Sequence, residues 1–289
     1  MAGKEQTVTW ITGAGGLIGS HLLRSAPEDC NVIGLTRAEL ELTDEKAVTA
    51  RFRRDKPGLV IHCAALSKSP LCEKEPDLAW KVNVEITRVL ADLCSAGRLV
   101  FFSTDLVFDG KKGWYVESDS VNPLTVYART KVAAEEIVLR NTSHLVIRTT
   151  LNSGVSPSGD GGFDEVTRRG WLAGEAARLF TDEFRCPIPA IETARAVWEL
   201  IEKEARGLYH VAGTERLSRW EIGRLLAARW SELKPRIEAI SIKDYKGPPR
   251  SPDTSLDCGK AQSVLGRCLP AFSEWVRNHP EETRNSRNL

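Results

Sequence analysis

Tyr127 and Lys131 stand four residues apart in the run YARTK. On a helix that spacing places a phenol and an ammonium on one face. Free tyrosine has a pKa of about 10 and is a poor acid or base near neutrality, but a neighbouring cation favours the phenolate and brings proton transfer within reach. The same pair also occurs on solvated helix faces, so its meaning depends on what lies beside it. Upstream, FFSTDLVFDG carries two Phe into Ser103, Thr104 and Asp105 and ends in the turn pair Asp109-Gly110. Small polar groups at a strand end can simply satisfy loose backbone N–H groups. They can also line a ligand cleft, because open parallel sheets bind ligands beyond the carboxyl ends of their strands. A third pattern, Gly13-x-x-Gly16-x-x-Gly19, lies near the N-terminus. Between a strand and a helix, such glycines permit a tight turn and let a pyrophosphate approach helix N–H donors.

Alternating strand and helix signals position these residues. A β-branched run at 7–12 precedes the glycines, and Leu17, Ile18, Leu22 and Leu23 follow as one helical face. Further strands are expected at 31–35, 59–65, 98–103 and 144–149, with helices at 43–54, 78–96 and 127–139. Near-continuous apolar strands separated by helices define an α/β fold, a Rossmann-type doubly wound parallel sheet. After residue 150 the texture changes: 152–162 (NSGVSPSGDGG) is a Gly/Ser/Pro loop, and the alternation loosens. Beyond it the patterns predict helices at 164–172 and 191–204 and strands at 177–181 and 208–212. Ser218 and Glu221 form a capping box that opens a helix over 219–230. The expected organisation is a dinucleotide-binding domain over 1–150, completed by about 187–213, and a smaller α+β substrate domain over 151–186 and 214–289. The polar tail at 280–289 is expected to fray.

Composition narrows the partners. Lys plus Arg number 40 against 39 Asp plus Glu, so no global field would gather nucleic acid or an anionic membrane. No apolar run approaches the roughly 18 residues of a membrane span, and no secretory leader is visible, so a cytoplasmic protein is expected. The seven Cys lack CxxC or Cys/His spacing and read as reduced thiols, with no metal site. His62 and His210 fall within apolar strands and read as core imidazoles, and Asp105 and Asp109 read as caps of turn N–H groups. At the end of the second strand, where NAD sites commonly carry an acid, the chain has Thr36-Arg37; an Arg there can accept a 2′-phosphate, which favours NADPH with NADH as the alternative.

Taken together, the glycine pattern, Cys63-Ala64-Ala65, Asn83 in KVNV, Ser103-Thr104-Asp105 and Tyr127-x-x-x-Lys131 resemble an extended short-chain dehydrogenase/reductase. More narrowly, STDLVFDG, NPLTVYARTK, EPDLAWKVNV, TDEFRCPIPAIETA and GLYHVAG are similar to the dTDP-4-dehydrorhamnose reductase family. The resemblance implies that Tyr127 protonates a ketone oxygen, that Lys131 holds the cofactor ribose and depresses the Tyr pKa, and that Thr104, with Ser103, steadies the developing alkoxide. It assigns Gly16, Leu17 and Ile18 to the pyrophosphate, Thr36 and Arg37 to the adenosine ribose, Glu41 and Leu42 to the adenine side, and Cys63, Ala64 and Ala65 to the middle of the cofactor. Asn83 is open to two roles, cofactor contact or an amide satisfying backbone groups. The substrate implied is a nucleotide-linked 4-keto-deoxysugar, touching Ser103, Thr104, Asp105 and Leu151, and the implied assembly is a homodimer.

Departures from the family pattern bear on the reaction. Related dehydratases have T-D-E where this chain has Thr104-Asp105-Leu106, and Leu106 cannot abstract a proton, which favours ketone reduction. Leu151 stands where the reductases typically have Trp, removing stacking area worth roughly 1 kcal/mol. Two other readings stay open: another oxidoreductase or epimerase of a nucleotide sugar, and a non-catalytic subunit that keeps the dinucleotide site while regulating a partner enzyme.

Overall fold

The structure, a computed structural model, describes residues 7–279 except 160; the expectation for the 280–289 tail lies outside the described residues. The first half alternates as its periodicity requires. Strand β1 (Val8–Thr12) leads through the glycine turn into α1 (Leu17–Arg24), followed by β2 (Asn31–Leu35), α2 (Glu45–Asp55) and β3 (Leu59–His62). Asp44 starts α2 by accepting the Ala47 N–H at 3.0 Å.

The single helix expected over 78–96 is a composite. Short helices α3 (Ser69–Lys74) and α4 (Pro76–Trp80) each carry a proline in the first turn, where no N–H is needed. A π-helical turn, Lys81–Glu85, then joins α4 to α5 (Ile86–Leu93). Strand β4 (Arg98–Thr104) follows, then α6 (Val126–Val138), which Thr125 caps by accepting the Ala128 N–H, and β5 (Leu145–Thr149).

The later elements are shorter: β6 (Asn152–Ser153), α7 (Phe163–Leu172), β7 (Ala176–Phe180), β8 (Phe184–Arg185) and β9 (Ile188–Pro189), then α8 (Ala190–Glu202) and β10 (Gly207–His210). After them come β11 (Leu217–Ser218), α9 (Arg219–Arg229), β12 (Arg236–Ile240), α10 (Gly259–Leu265) and α11 (Phe272–Asn278). The capping box at Ser218 and Glu221 starts α9 as expected. Strand β12 was not anticipated; its RIEAI sequence alternates charge with apolar residues and pairs in parallel with β7.

Six parallel strands form the main sheet in the order β10-β5-β4-β3-β1-β2. The chain leaves β1 in one direction for β2 and returns past it to β3, so the strand order reverses between β1 and β3. A crevice at the carboxyl ends of those two strands is the ligand position this topology provides. Side chains alternate across the sheet: Trp10, Val60, Leu99, Phe101 and Val146 pack with Ile86, Leu90 and Val138 on one face. Ile11, Ile61, Val100, Phe102 and Ile147 pack with Leu22, Val197 and Leu200 on the other. A third cluster, Trp171, Ile222, Leu226, Trp230, Phe272, Trp275 and Val276, forms a separate small core over the carboxyl edge.

One buried ion pair fixes the helix that carries Tyr127. Arg148 on β5 donates through Nη2 to Glu135 on α6 at 2.7 Å, with both side chains about 5% exposed or less.

Candidate active site

The glycine turn is sterically determined. Gly13 has φ +70, and a Cβ there would lie 2.7 Å from the Ala64 nitrogen and 2.9 Å from the Cys63 carbonyl carbon. A side chain would therefore push the turn off the 63–65 loop. At Gly19 a Cβ would run into the Gly13 carbonyl, so α1 could not pack against the turn. Gly16 begins α1 with extended backbone (φ −85, ψ 173) and no side chain caps the helix. Uncapped first-turn N–H groups with a partial positive charge form a cradle for phosphate oxygens. These residues fit a dinucleotide pyrophosphate.

The cradle opens into a cleft of about 1270 Å³. Its walls contain Gly13, Gly16, Leu17, Ile18, Gly19, Thr36, Arg37, Glu41, Leu42, Cys63, Ala64, Ala65, Ser103, Thr104, Asp105, Tyr127, Lys131 and Leu151. Of the residues that the resemblance assigns to cofactor, catalysis or substrate, Asn83 alone is absent from the wall. Its side chain, 1% exposed, accepts the Leu66 N–H at 2.8 Å and donates to the Leu66 carbonyl at 3.1 Å and to Thr130 Oγ1 at 2.9 Å. Of its two open roles it takes the structural one, pinning the loop after β3 to the helix turn that bears Lys131.

At the floor of the cleft, Lys131 is 2% exposed and its Nζ lies 3.9 Å from the centre of the Phe101 ring. Burial draws its pKa down to about 7, against the opposing pull of Glu135 and Cys63. Tyr127 moves the other way. Burial raises its pKa, the Asp105 charge raises it further, and a hydrogen bond with Thr104 only partly offsets this. The expected depression by Lys131 does not enter this balance, in which desolvation dominates. Tyr127 stays a protonated donor. Ser103 Oγ is buried and, among the described residues, has no hydrogen-bond partner.

Asp105 is not a cap of turn N–H groups. Its carboxylate, 4% exposed, accepts hydroxyl hydrogens from Thr104 (3.1 Å), Thr150 (3.0 Å) and Thr254 (2.5 Å), with Arg185 Nε 3.4 Å away. Asp109 does serve its turn, accepting the Lys111 N–H at 3.0 Å. His62 and His210 are core residues: His62 Nδ1 meets Thr12 Oγ1 at 2.7 Å, and His210 Nδ1 meets the Tyr115 carbonyl at 3.1 Å.

Sequence reasoning missed the wall supplied by the small core. Glu183, Arg185, Arg219, Tyr245 and Arg250 all face the cleft. Glu183 accepts from Arg250 Nη2 at 2.9 Å and pairs with Arg185 at 3.2 Å. Arg219 stands over Phe163, 5.5 Å from its ring centre, and its Nη1 is buried with no hydrogen-bond partner among the described residues. The signal was present as arginines beside prolines in EFRCPIP and PPRSP, but their convergence on the cleft needed the fold. The described residues contain no group of three or more His, Cys, Asp or Glu able to hold a metal, and no helix long and apolar enough to cross a membrane.

Sheet order, glycine cradle and the Thr104, Tyr127 and Lys131 cleft define the class, an extended short-chain dehydrogenase/reductase fold. The chain belongs to the RmlD substrate binding domain family, whose pattern matches residues 7–284. It is 29% identical to methionine adenosyltransferase 2 subunit beta of Xenopus laevis over 278 residues, 90% of this chain and 83% of that protein. It is 28% identical to dTDP-4-dehydrorhamnose reductase of Sinorhizobium fredii over 283 residues, 92% of this chain and 94% of that one. Among solved structures, dTDP-4-dehydrorhamnose reductase of Bacillus anthracis in complex with NADP superposes with a TM-score of 0.87 at 24% identity, covering 94% of this chain and 98% of that one.

Proposed function

We propose that the protein is an NAD(P)H-dependent reductase of a nucleotide-linked 4-keto-deoxysugar. The observation that carries this is the opening of an uncapped phosphate cradle onto the same cleft as Tyr127, Lys131 and Thr104. When bound, the nicotinamide supplies the hydride. Tyr127, kept protonated by its buried surroundings, donates a proton to the ketone oxygen, and Ser103 and Thr104 offer hydroxyls to the developing alkoxide. Lys131 holds the ribose and adds positive charge at the moment negative charge develops. The Thr104 hydrogen rests on Asp105 Oδ1 at 3.1 Å and must turn from that carboxylate to serve the alkoxide, whereas Ser103 Oγ has no partner among the described residues. The unpartnered Arg219 Nη1 on the opposite wall suits an anionic part of the substrate, as the diphosphate of a nucleotide sugar provides. Leu106 lines the cleft without any basic atom, which supports reduction over dehydration.

In this reading residues 1–150 with 187–213 bind the cofactor, while 151–186 with 214–289 select the substrate, in a cytoplasmic homodimer. A second reading is a dinucleotide-binding regulatory subunit, favoured by the likeness to methionine adenosyltransferase 2 subunit beta across 90% of this chain. One experiment separates the two. Purified protein is mixed with NADPH or NADH and a panel of nucleotide keto sugars while absorbance of the reduced nicotinamide is followed. Reduction by the wild type, lost in Tyr127→Phe with cofactor affinity retained, supports the reductase. A wild type that binds cofactor, reduces nothing and copurifies with another enzyme supports the regulatory subunit.

A further inference from the structure

His62 is a buried titratable group that the reaction leaves unused. Strand pairing sets Thr12, His62 and Phe101 side by side on β1, β3 and β4, so their side chains share the face of the sheet that α6 covers. On one side His62 Nδ1 meets Thr12 Oγ1 at 2.7 Å. On the other its ring centre lies 5.9 Å from that of Phe101, and Lys131 Nζ stands 3.9 Å from the centre of the same Phe101 ring. His62 Nε2 is buried with no hydrogen-bond partner among the described residues. Ser103, two residues beyond Phe101 on β4 and therefore on its face, has a buried Oγ in the same condition.

Two orphaned atoms and an ammonium thus gather around Phe101. Buried polar atoms left unpaired are costly, and one water with three polar neighbours can satisfy them all. The imidazole is neutral at working pH, because burial and then the Lys131 charge draw its pKa down to about 3. A neighbouring ammonium favours the tautomer that donates Nδ1–H to Thr12 and keeps its lone pair at Nε2. A water placed there accepts one N–H from Lys131 and donates its hydrogens to His62 Nε2 and Ser103 Oγ, which leaves the serine hydrogen for the alkoxide. The other titratable groups facing Lys131 are Tyr127 and Glu135, one turn to either side on α6, and Cys63 after β3; Glu135 is itself bound to Arg148 of β5.

We propose that His62 is a positioning residue for Lys131: together with Ser103 it holds a buried water under the ammonium, which keeps the amine protonated and aimed at the cofactor. The proposal deepens the reductase reading and rests on it for the work that Lys131 does.

The test is the pH dependence of keto-sugar reduction by the wild type, His62→Phe and His62→Gln, with melting curves to show that each protein is folded. Phenylalanine keeps a ring and removes Nε2, whereas glutamine keeps a polar end that can hold the water. Without its acceptor the ammonium loses its proton at lower pH, so the alkaline fall in rate should move about one unit lower in His62→Phe, a tenfold weaker hold on the proton. His62→Gln should bring it back toward the wild-type position. An unmoved fall in folded His62→Phe overturns the inference, since a histidine that only fills space alters melting and not proton binding at Lys131. Where His62→Phe does not fold, a high-resolution crystal structure of the wild type decides: a water bonded to His62 Nε2, Lys131 Nζ and Ser103 Oγ upholds the inference, and a dry contact overturns it. A wild type that reduces no keto sugar overturns the reductase reading, and the same crystal structure then judges the water by itself.

Discussion

Lys131 stands on the buried side of α6, with only 2% of the residue's surface in solvent. Burial lowers its pKa from 10.5 to about 7, so the unfolded chain keeps a proton that the folded chain releases between those values. The unfolded state binds more protons in that window, so this group's contribution to stability rises with pH from about 7 to 10.5 and is least favourable below 7. Lys131→Met should therefore be more stable than the wild type at pH 6, with a difference that shrinks as pH climbs. Urea midpoints measured at a series of pH values for both proteins check this, and a difference that does not vary with pH would refute it. Tyr127 shows the same physics with opposite sign: enclosure keeps the phenol protonated, which suits a donor and removes the need for a phenolate before substrate arrives.

Helix α6 is where chemistry and scaffold meet, because Tyr127, Lys131 and Glu135 lie at successive four-residue steps along it. Glu135 binds Arg148 of β5 on the buried side, so the helix cannot rotate without breaking an ion pair shielded from water. Removing one partner of such a pair leaves an uncompensated charge, and Glu135→Ala should cost about 3 kcal/mol of stability. Denaturant unfolding measures this directly; a loss below about 1 kcal/mol would show that the pair acts like a surface bridge. The π-helical turn at Lys81–Glu85 belongs to the same unit, since its Asn83 ties Leu66 to Thr130, the neighbour of Lys131. Extra turns of this kind recur near functional sites, and here the consequence is a fixed loop beside the cofactor cleft.

At the scale of the molecule, the cleft is closed by two cores that meet through charge. Arg185 extends from β8 to within 3.4 Å of Asp105, at the carboxyl edge of the main sheet, and pairs with Glu183 beside it. Arg185→Leu should weaken the joint more than either core, because it strips Asp105 of its cation while Glu183 retains Arg250. The expected outcome is faster amide exchange in β7 and β12 with little change in β1 and β3, together with a stability loss of about 3 kcal/mol. Equal acceleration in all four strands would mean that the two cores unfold as one.

Much of this arrangement was legible in the chain. Apolar runs separated by helical faces specified the parallel sheet, and Gly13, Gly16 and Gly19 marked the phosphate turn because their positions tolerate no Cβ or need an uncapped helix start. The spacing of Tyr127 and Lys131 put them on one helix face, since a local period determines which side chains share it, but their meaning came from the Ser103-Thr104 strand end and the glycine turn. What lay beyond the sequence was decided by contacts between distant segments. Asp105 meets Thr254, 149 residues away, and its role as a hub could not be read from the turn beside it. The proton affinities of Tyr127 and Lys131 likewise depend on how much water the assembled cleft excludes, and only the packed tertiary structure sets that quantity.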